Sequence, residues 1–154
     1  MLTIKTLERI KRGAKISLIS GVYAIILGIL YLSFIKFIVR MNFRAINVVW
    51  QVFEKYNPGI ASYFIKLMIL KGIFIIIFGI IIISVSVYIL RRKDRTGWAV
   101  LFFLGLAFWV SVLIIEILDK NFYTIAASIV GWIIFVIGMM IPFKYYTISD
   151  YDEY

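Results

Sequence analysis

The chain has 154 residues, of which 64% are hydrophobic and 16% are charged, and its formal net charge is +9. Soluble domains are about 45–50% apolar and about 25% charged, and a soluble domain of this length could not bury so much apolar surface. The composition therefore predicts a single integral membrane domain over residues 1–154. Cys and His are both absent, which excludes disulfides, Cys or His nucleophiles, and zinc or haem sites that need these ligands.

Four uncharged apolar stretches are long enough, or nearly so, to cross a hydrocarbon core of roughly 30 Å, which takes about 20 helical residues. They cover approximately residues 16–35, 72–90, 97–115 and 121–143. Because backbone polar groups in lipid must be satisfied within the segment, these stretches predict helices. We expect an all-α integral membrane protein: a four-transmembrane-helix bundle with an outer amphipathic helix in the first extramembrane connection.

The first connection between spans, residues 36–71, contains that amphipathic pattern at approximately 45–56. Apolar residues recur there at helical spacing opposite polar ones, and the run Asn57-Pro58-Gly59 is expected to end the helix. The apolar positions are Ile46, Val49, Trp50 and Phe53. Such a helix is suited to lie in the membrane interface. A second amphipathic segment is predicted at approximately residues 3–14, before the first span.

The distribution of basic residues predicts the orientation of the chain. Ten Lys and Arg residues lie on the side of the two termini and seven on the other side. The excess favours N- and C-termini in the cytoplasm and a location in the cell membrane. The basic residues separate apolar runs and form no single patch, so they suit contact with anionic lipid headgroups and not nucleic-acid binding.

Small residues recur every seven positions in three of the four spans. The series are Ala14, Gly21 and Gly28; Gly72, Gly79 and Ser86; and Thr124, Gly131 and Gly138. Residues seven apart share nearly the same helix face, and small side chains let helices approach closely, so these series predict helix contacts. Residues 21–29 and 72–80 also resemble each other, and a duplicated two-helix unit, a shared packing requirement and a chance match between apolar sequences are all open explanations.

Charged side chains at the predicted outer end of the spans form the candidate site. Glu116 is expected at the same height as Lys71 and Lys36, and could pair with either. One interpretation is that these charges anchor the spans by reaching water or lipid phosphates. The alternative is a site for an anionic lipid headgroup or a partner segment, made of Lys36, Arg40, Lys66 and Lys71 with Glu116 holding one cation.

Four aromatic side chains are predicted to lie deep in the spans, where each polar atom needs a partner. They are Tyr23, Tyr88, Trp109 and Trp132, and the available hydroxyl groups include those of Ser20, Ser86, Ser111 and Ser128.

The function predicted from these features is non-enzymatic. No catalytic residue, metal site or cofactor site emerges from the sequence, because Ser, Thr and Tyr are the remaining nucleophiles and nothing predicts their activation. We expect a subunit or lipid-interacting scaffold whose partners are membrane lipids and either copies of itself or other integral membrane subunits. The alternative is a small oligomeric transporter or channel for an uncharged or anionic solute.

Overall fold

The computed structural model describes residues 4–92 and 95–147, and all regular structure in these two ranges is helical. The six helices are α1 (Ile4–Ser33), α2 (Ile35–Ala45), α3 (Trp50–Tyr56), α4 (Pro58–Arg92), α5 (Arg95–Asp119) and α6 (Phe122–Thr147). Four segments are long and apolar enough to cross a membrane: Leu7–Ser33, Pro58–Arg92, Arg95–Asp119 and Phe122–Phe143. The chain is therefore an all-helical protein of the multi-pass membrane class.

The four long helices pack in a closed ring, in which α1 and α5 each contact both α4 and α6. Glycines face each other across the α1–α4 contact. A Cβ atom added at Gly21 would lie 2.9 Å from the carbonyl oxygen of Gly79, and one added at Gly28 would lie 2.9 Å from that of Gly72. A side chain at these points would force the backbones apart, so the glycines are what allow the two helices to approach.

The resemblance between residues 21–29 and 72–80 has a packing reason in this contact. The two helices run antiparallel, so that Gly21 meets Gly79 while Gly28 meets Gly72. The same spacing of small residues is therefore required on both sides of one interface.

α6 packs on its two neighbours through small residues as well. A Cβ atom added at Gly138 would lie 2.6 Å from Oγ of Ser17 in α1, and one added at Gly131 would overlap the indole ring of Trp109 in α5. The remaining members of the three small-residue series are Ala14 and Ser86, which are buried, and Thr124, which is partly buried. Gly138 thus makes room for the close approach of α1 at Ser17, and Gly131 makes room for the ring of Trp109 in α5.

Large side chains fill the middle of the ring. Trp109 is fully buried, and its indole Nε1 donates a hydrogen bond to Oγ of Ser20 at 3.2 Å. Ser20 Oγ in turn donates to the carbonyl oxygen of Gly131 at 3.3 Å, and the Tyr23 hydroxyl donates to that of Ala127 at 2.8 Å. Other side chains buried in the described bundle are Ile75, Ile82, Ile89, Leu101, Phe135 and Met139. The predicted need for a polar partner is thus met for Trp109 by a serine and for Tyr23 by a backbone carbonyl.

The first connection folds as two helices, whereas the sequence predicts one helix at approximately 45–56. α2 ends at Ala45 and α3 begins at Trp50. Between them, Asn47 has a φ of 59°, a left-handed conformation that Asn adopts more readily than most residues and that does not continue a right-handed helix.

Trp50 is buried against other helices and does not point away from the protein. Its ring centroid lies 4.7 Å from that of Phe43 in α2, 5.9 Å from that of Phe53 and 6.3 Å from that of Phe64 in α4. The aromatic face of this connection therefore packs on the protein. We call α2, α3 and residues 58–68 of α4 the cap.

Two of the long helices begin earlier than the predicted spans. α4 begins at Pro58 instead of Gly72, because proline suits the first turn of a helix, where no backbone N–H bond is needed. With 35 residues α4 is about 52 Å long, more than a hydrocarbon core of about 30 Å requires, and its first turns belong to the cap. Likewise, residues 4–14 of the predicted inner amphipathic segment are the first turns of α1 and not a separate helix.

Candidate functional site

A lysine and two carboxylates meet at the end of the bundle where α1 and α5 terminate. Nζ of Lys71 in α4 lies 3.1 Å from Oε1 of Glu116 and 2.9 Å from Oδ2 of Asp119, both in α5. The same Nζ lies 4.9 Å from the ring centroid of Tyr31 in α1, within cation–π range. We call these four residues the ion cluster. The predicted pairing of Glu116 with Lys71 is therefore present, and Asp119 is a second partner of the same ammonium group.

The positions of these residues along their helices explain why they meet. Glu116 and Asp119 are three residues apart, so they are neighbours on one face of α5. Lys71 precedes Arg91 by 20 residues of continuous helix, which corresponds to about 30 Å. The ion cluster and Arg91 are thus separated by about the thickness of a hydrocarbon core.

The ion cluster is largely withdrawn from solvent. The side chain of Glu116 is 1% exposed, that of Lys71 is 12% exposed and that of Asp119 is 21% exposed. The interpretation of Glu116 as an anchor that reaches water is therefore wrong. Its second oxygen, Oε2, is buried and accepts no hydrogen bond from the described residues. Because an unpaired buried charge is very unfavourable, Lys71 is the group that allows a carboxylate to lie here.

The balance of charges defines what the ion cluster can do chemically. It contains one ammonium group and two carboxyl groups, and it therefore carries one net negative charge when all three are ionised. The arrangement can accept hydrogen bonds from an added cation or donor. In the two described ranges, no group of three or more acidic side chains is placed to hold a metal ion.

An apolar groove of about 600 Å³ lies between α4 and α5 and has Lys71 and Asp119 at one end. Its walls include Leu70, Phe74 and Phe78 from α4 and Leu104, Ala107 and Phe108 from α5. Leu70, Phe74 and Leu104 are between 41% and 50% exposed, so the groove lies on the outside of the bundle. Its volume falls in the range of about 300–1,000 Å³ that is typical of small-molecule sites.

The other predicted site residues are exposed, whereas Lys71 and Glu116 are largely buried. Lys36 and Arg40 of α2 are exposed, and together with Trp50 and Glu54 they line a cavity of about 110 Å³ in the cap. Lys66 is exposed on α4. The five residues predicted as one site thus comprise a buried pair and three exposed cations.

A pair of buried amides near the same end was not predicted. Nδ2 of Asn121 donates to Oδ1 of Asn42 in α2 at 2.9 Å. Oδ1 of Asn121 accepts a hydrogen bond from the backbone N–H of Tyr123 at 3.2 Å, and so caps the N-terminus of α6. The capping role could be found from an Asn directly before an apolar run, but nothing in the sequence links it to Asn42.

Comparison with known protein families, with curated proteins and with solved structures finds no match for this chain.

Proposed function

We propose that this chain is a small non-enzymatic multi-pass membrane protein, a subunit or lipid-interacting scaffold whose binding surface is the groove between α4 and α5. The observation that carries the proposal is this groove of about 600 Å³, which has apolar walls and a charged end. Large side chains fill the middle of the described bundle, whereas the groove offers space on its outside. Bound lipid or a neighbouring membrane helix is the occupant that such walls favour.

The three exposed cations support a second contact with lipid. Lys36, Arg40 and Lys66 are exposed on the cap, and each basic residue near an anionic bilayer surface contributes about 1 kcal/mol of attraction. Lys71 adds no net positive charge, because two carboxylates hold it. We propose that the exposed cations, and not Lys71, attract anionic headgroups. The test is the enrichment of anionic lipid around the protein in nanodiscs of mixed lipid composition. A double variant, Lys36→Ala with Arg40→Ala, should lose this enrichment, and unchanged enrichment would refute the proposal.

The proposed location is the cell membrane, with both termini in the cytoplasm and the cap on the outer side. It rests on ten Lys and Arg residues on the side of the termini against seven on the side of the cap. The proposed protein partners are further copies of the chain or other integral membrane subunits.

Purification from native membranes in mild detergent tests the scaffold function. We expect lipid, a second subunit or both to remain bound to the wild-type protein after extensive washing, as measured by native mass spectrometry. Ala107→Trp, which fills the groove, should remove the retained molecule. Ala126→Trp is the matched control, because Ala126 is an exposed alanine of α6 that does not line the groove. A lone monomer without bound lipid would contradict the proposal.

A small oligomeric transporter is a second candidate, favoured by the ion cluster. Ionisable groups within or at the edge of the membrane often mark transport pathways, and Glu116 is such a group. Because large side chains fill the middle of the bundle, a pathway would have to form between copies of the chain. Flux of uncharged or anionic solutes in proteoliposomes, lost in Glu116→Gln, would favour transport over a scaffold function.

A further inference from the structure

The charged end of the groove is lined by Lys71 and Asp119, and the ion cluster to which they belong carries one net negative charge when its three groups are ionised. Two carboxyl groups face one ammonium group in the ion cluster, and Oε2 of Glu116 is buried without a partner among the described residues. Asp119, which lines the groove, is partly exposed. A ligand in the groove that brings a cation with N–H groups would neutralise the excess charge and donate to the carboxylate of Asp119.

The walls of the groove define the rest of the ligand. The groove follows α4 from Leu67 to Phe78 and α5 from Leu104 to Asp119. These segments are roughly 16 Å long in α4 and roughly 22 Å long in α5. A helix of that length and about 10 Å in diameter would occupy roughly two to three times the volume of the groove, which is about 600 Å³. The dimensions therefore favour an extended apolar chain over a partner helix.

We propose that the groove binds one bilayer lipid with a primary ammonium headgroup, with an acyl chain along the groove and the ammonium group at Asp119. The inference rests on the proposed lipid-binding function and names the lipid. A primary ammonium group offers three donors, whereas a trimethylammonium group offers none. Phosphatidylethanolamine should therefore bind more tightly than phosphatidylcholine.

Lipid titration of the delipidated full chain in detergent tests this proposal. Phosphatidylethanolamine, phosphatidylcholine and phosphatidylglycerol with identical acyl chains are added separately, and bound lipid is counted by native mass spectrometry. We expect phosphatidylethanolamine to bind about tenfold more tightly than the other two, which is the effect of one charge-assisted hydrogen bond.

Two variants distinguish the contribution of the headgroup to binding from that of the acyl chain. Asp119→Asn should lower the affinity for phosphatidylethanolamine about tenfold and that for phosphatidylcholine by less, since the trimethylammonium group loses only the attraction of the charge and no hydrogen bond. Its matched control is Glu54→Gln, which alters an exposed carboxylate of the cap away from the groove. Ala107→Trp should abolish binding of all three lipids at this site, whereas Ala126→Trp should not. The midpoint of thermal unfolding without added lipid shows whether each variant is folded.

Equal affinity for phosphatidylethanolamine and phosphatidylcholine would overturn the proposal, as would a preference for phosphatidylglycerol or an ethanolamine preference that persists in Asp119→Asn. If the lipids bind equally and Ala107→Trp removes them all, lipid binding in the groove stands and the ammonium preference is wrong. If neither Ala107→Trp nor Asp119→Asn changes binding of any lipid, the groove is not the lipid site, and the groove-based part of the proposed function fails as well.

Discussion

Lys71 determines whether the ion cluster is stable, because it is the cation that both carboxylates contact. Glu116 is 1% exposed and has Lys71 as its ion-pair partner at 3.1 Å. Removing one partner of a buried ion pair leaves the other charge uncompensated, whereas replacing both by apolar residues is often neutral. We therefore expect the bundle to be less stable when only one of Lys71 and Glu116 is replaced by an apolar residue than when both are replaced.

Lys71→Met should lower the free energy of unfolding by about 3 kcal/mol, since it leaves Glu116 buried without a cation. Adding Glu116→Leu to this variant should restore most of the loss, because the buried pair is then apolar on both sides. The midpoint of thermal unfolding in mild detergent measures both effects. Lys66→Met is the matched control: Lys66 lies on the same helix but is exposed, so its loss should change the midpoint little. A Lys71→Met variant as stable as Lys66→Met would contradict the role assigned to Lys71.

Ser20→Ala should destabilise the bundle by about 1 kcal/mol, because it removes the acceptor of the Trp109 indole and the donor to the Gly131 carbonyl. Ser84→Ala provides the comparison, since the exposed Ser84 hydroxyl donates to the carbonyl of Ile80 within its own helix. Thermal unfolding of the two variants in the same detergent should separate them. Equal midpoints would mean that the bond between α1, α5 and α6 contributes nothing measurable.

At the scale of the helices, the α1–α4 contact depends on glycine at the crossing points. Gly79→Ala should destabilise by about 1–3 kcal/mol, and Gly79→Ile by more, because an added Cβ would lie 2.8 Å from the carbonyl oxygen of Gly21 and 2.8 Å from Ile25. Gly59→Ala is the matched control in the same helix, where no atom lies within 4 Å of an added Cβ. It should leave stability unchanged or raise it slightly. Unaltered thermal stability of Gly79→Ile would refute the packing role.

The helices show which parts of the fold the sequence can predict. Long uncharged apolar runs predict the spans because lipid allows few alternatives, and the glycine spacing predicts contact faces without saying which helices meet. The cap was harder to predict: the left-handed Asn47 and the burial of Trp50 against Phe43 and Phe64 depend on tertiary contacts. A helical pattern alone does not show whether an apolar face meets lipid or another helix.

The candidate site was predicted in part for the same reason. Counting residues along the helices places Glu116 and Lys71 at the same height in the membrane and so predicts their pairing, and this pair is present. Height does not specify the angular position of a residue around the bundle, and it therefore does not predict that Glu116 is buried while Lys36, Arg40 and Lys66 are exposed. The groove is formed jointly by side chains of α4 and α5, and the pattern of residues in either helix alone does not predict it.

At the scale of the whole molecule, the asymmetry of basic charge predicts the orientation. Five Lys and Arg residues lie between positions 5 and 15 and four between 91 and 95, and dense clusters beside spans remain in the cytoplasm. Because the chain has no natural Cys, single cysteines report on sidedness without background. Thr96→Cys, exposed at the start of α5, should react with an impermeant maleimide only after the membrane is opened, whereas Gln51→Cys in the cap should react in intact cells. The reverse pattern would invert the orientation, and labelling of both positions from one side would contradict the four-span topology itself.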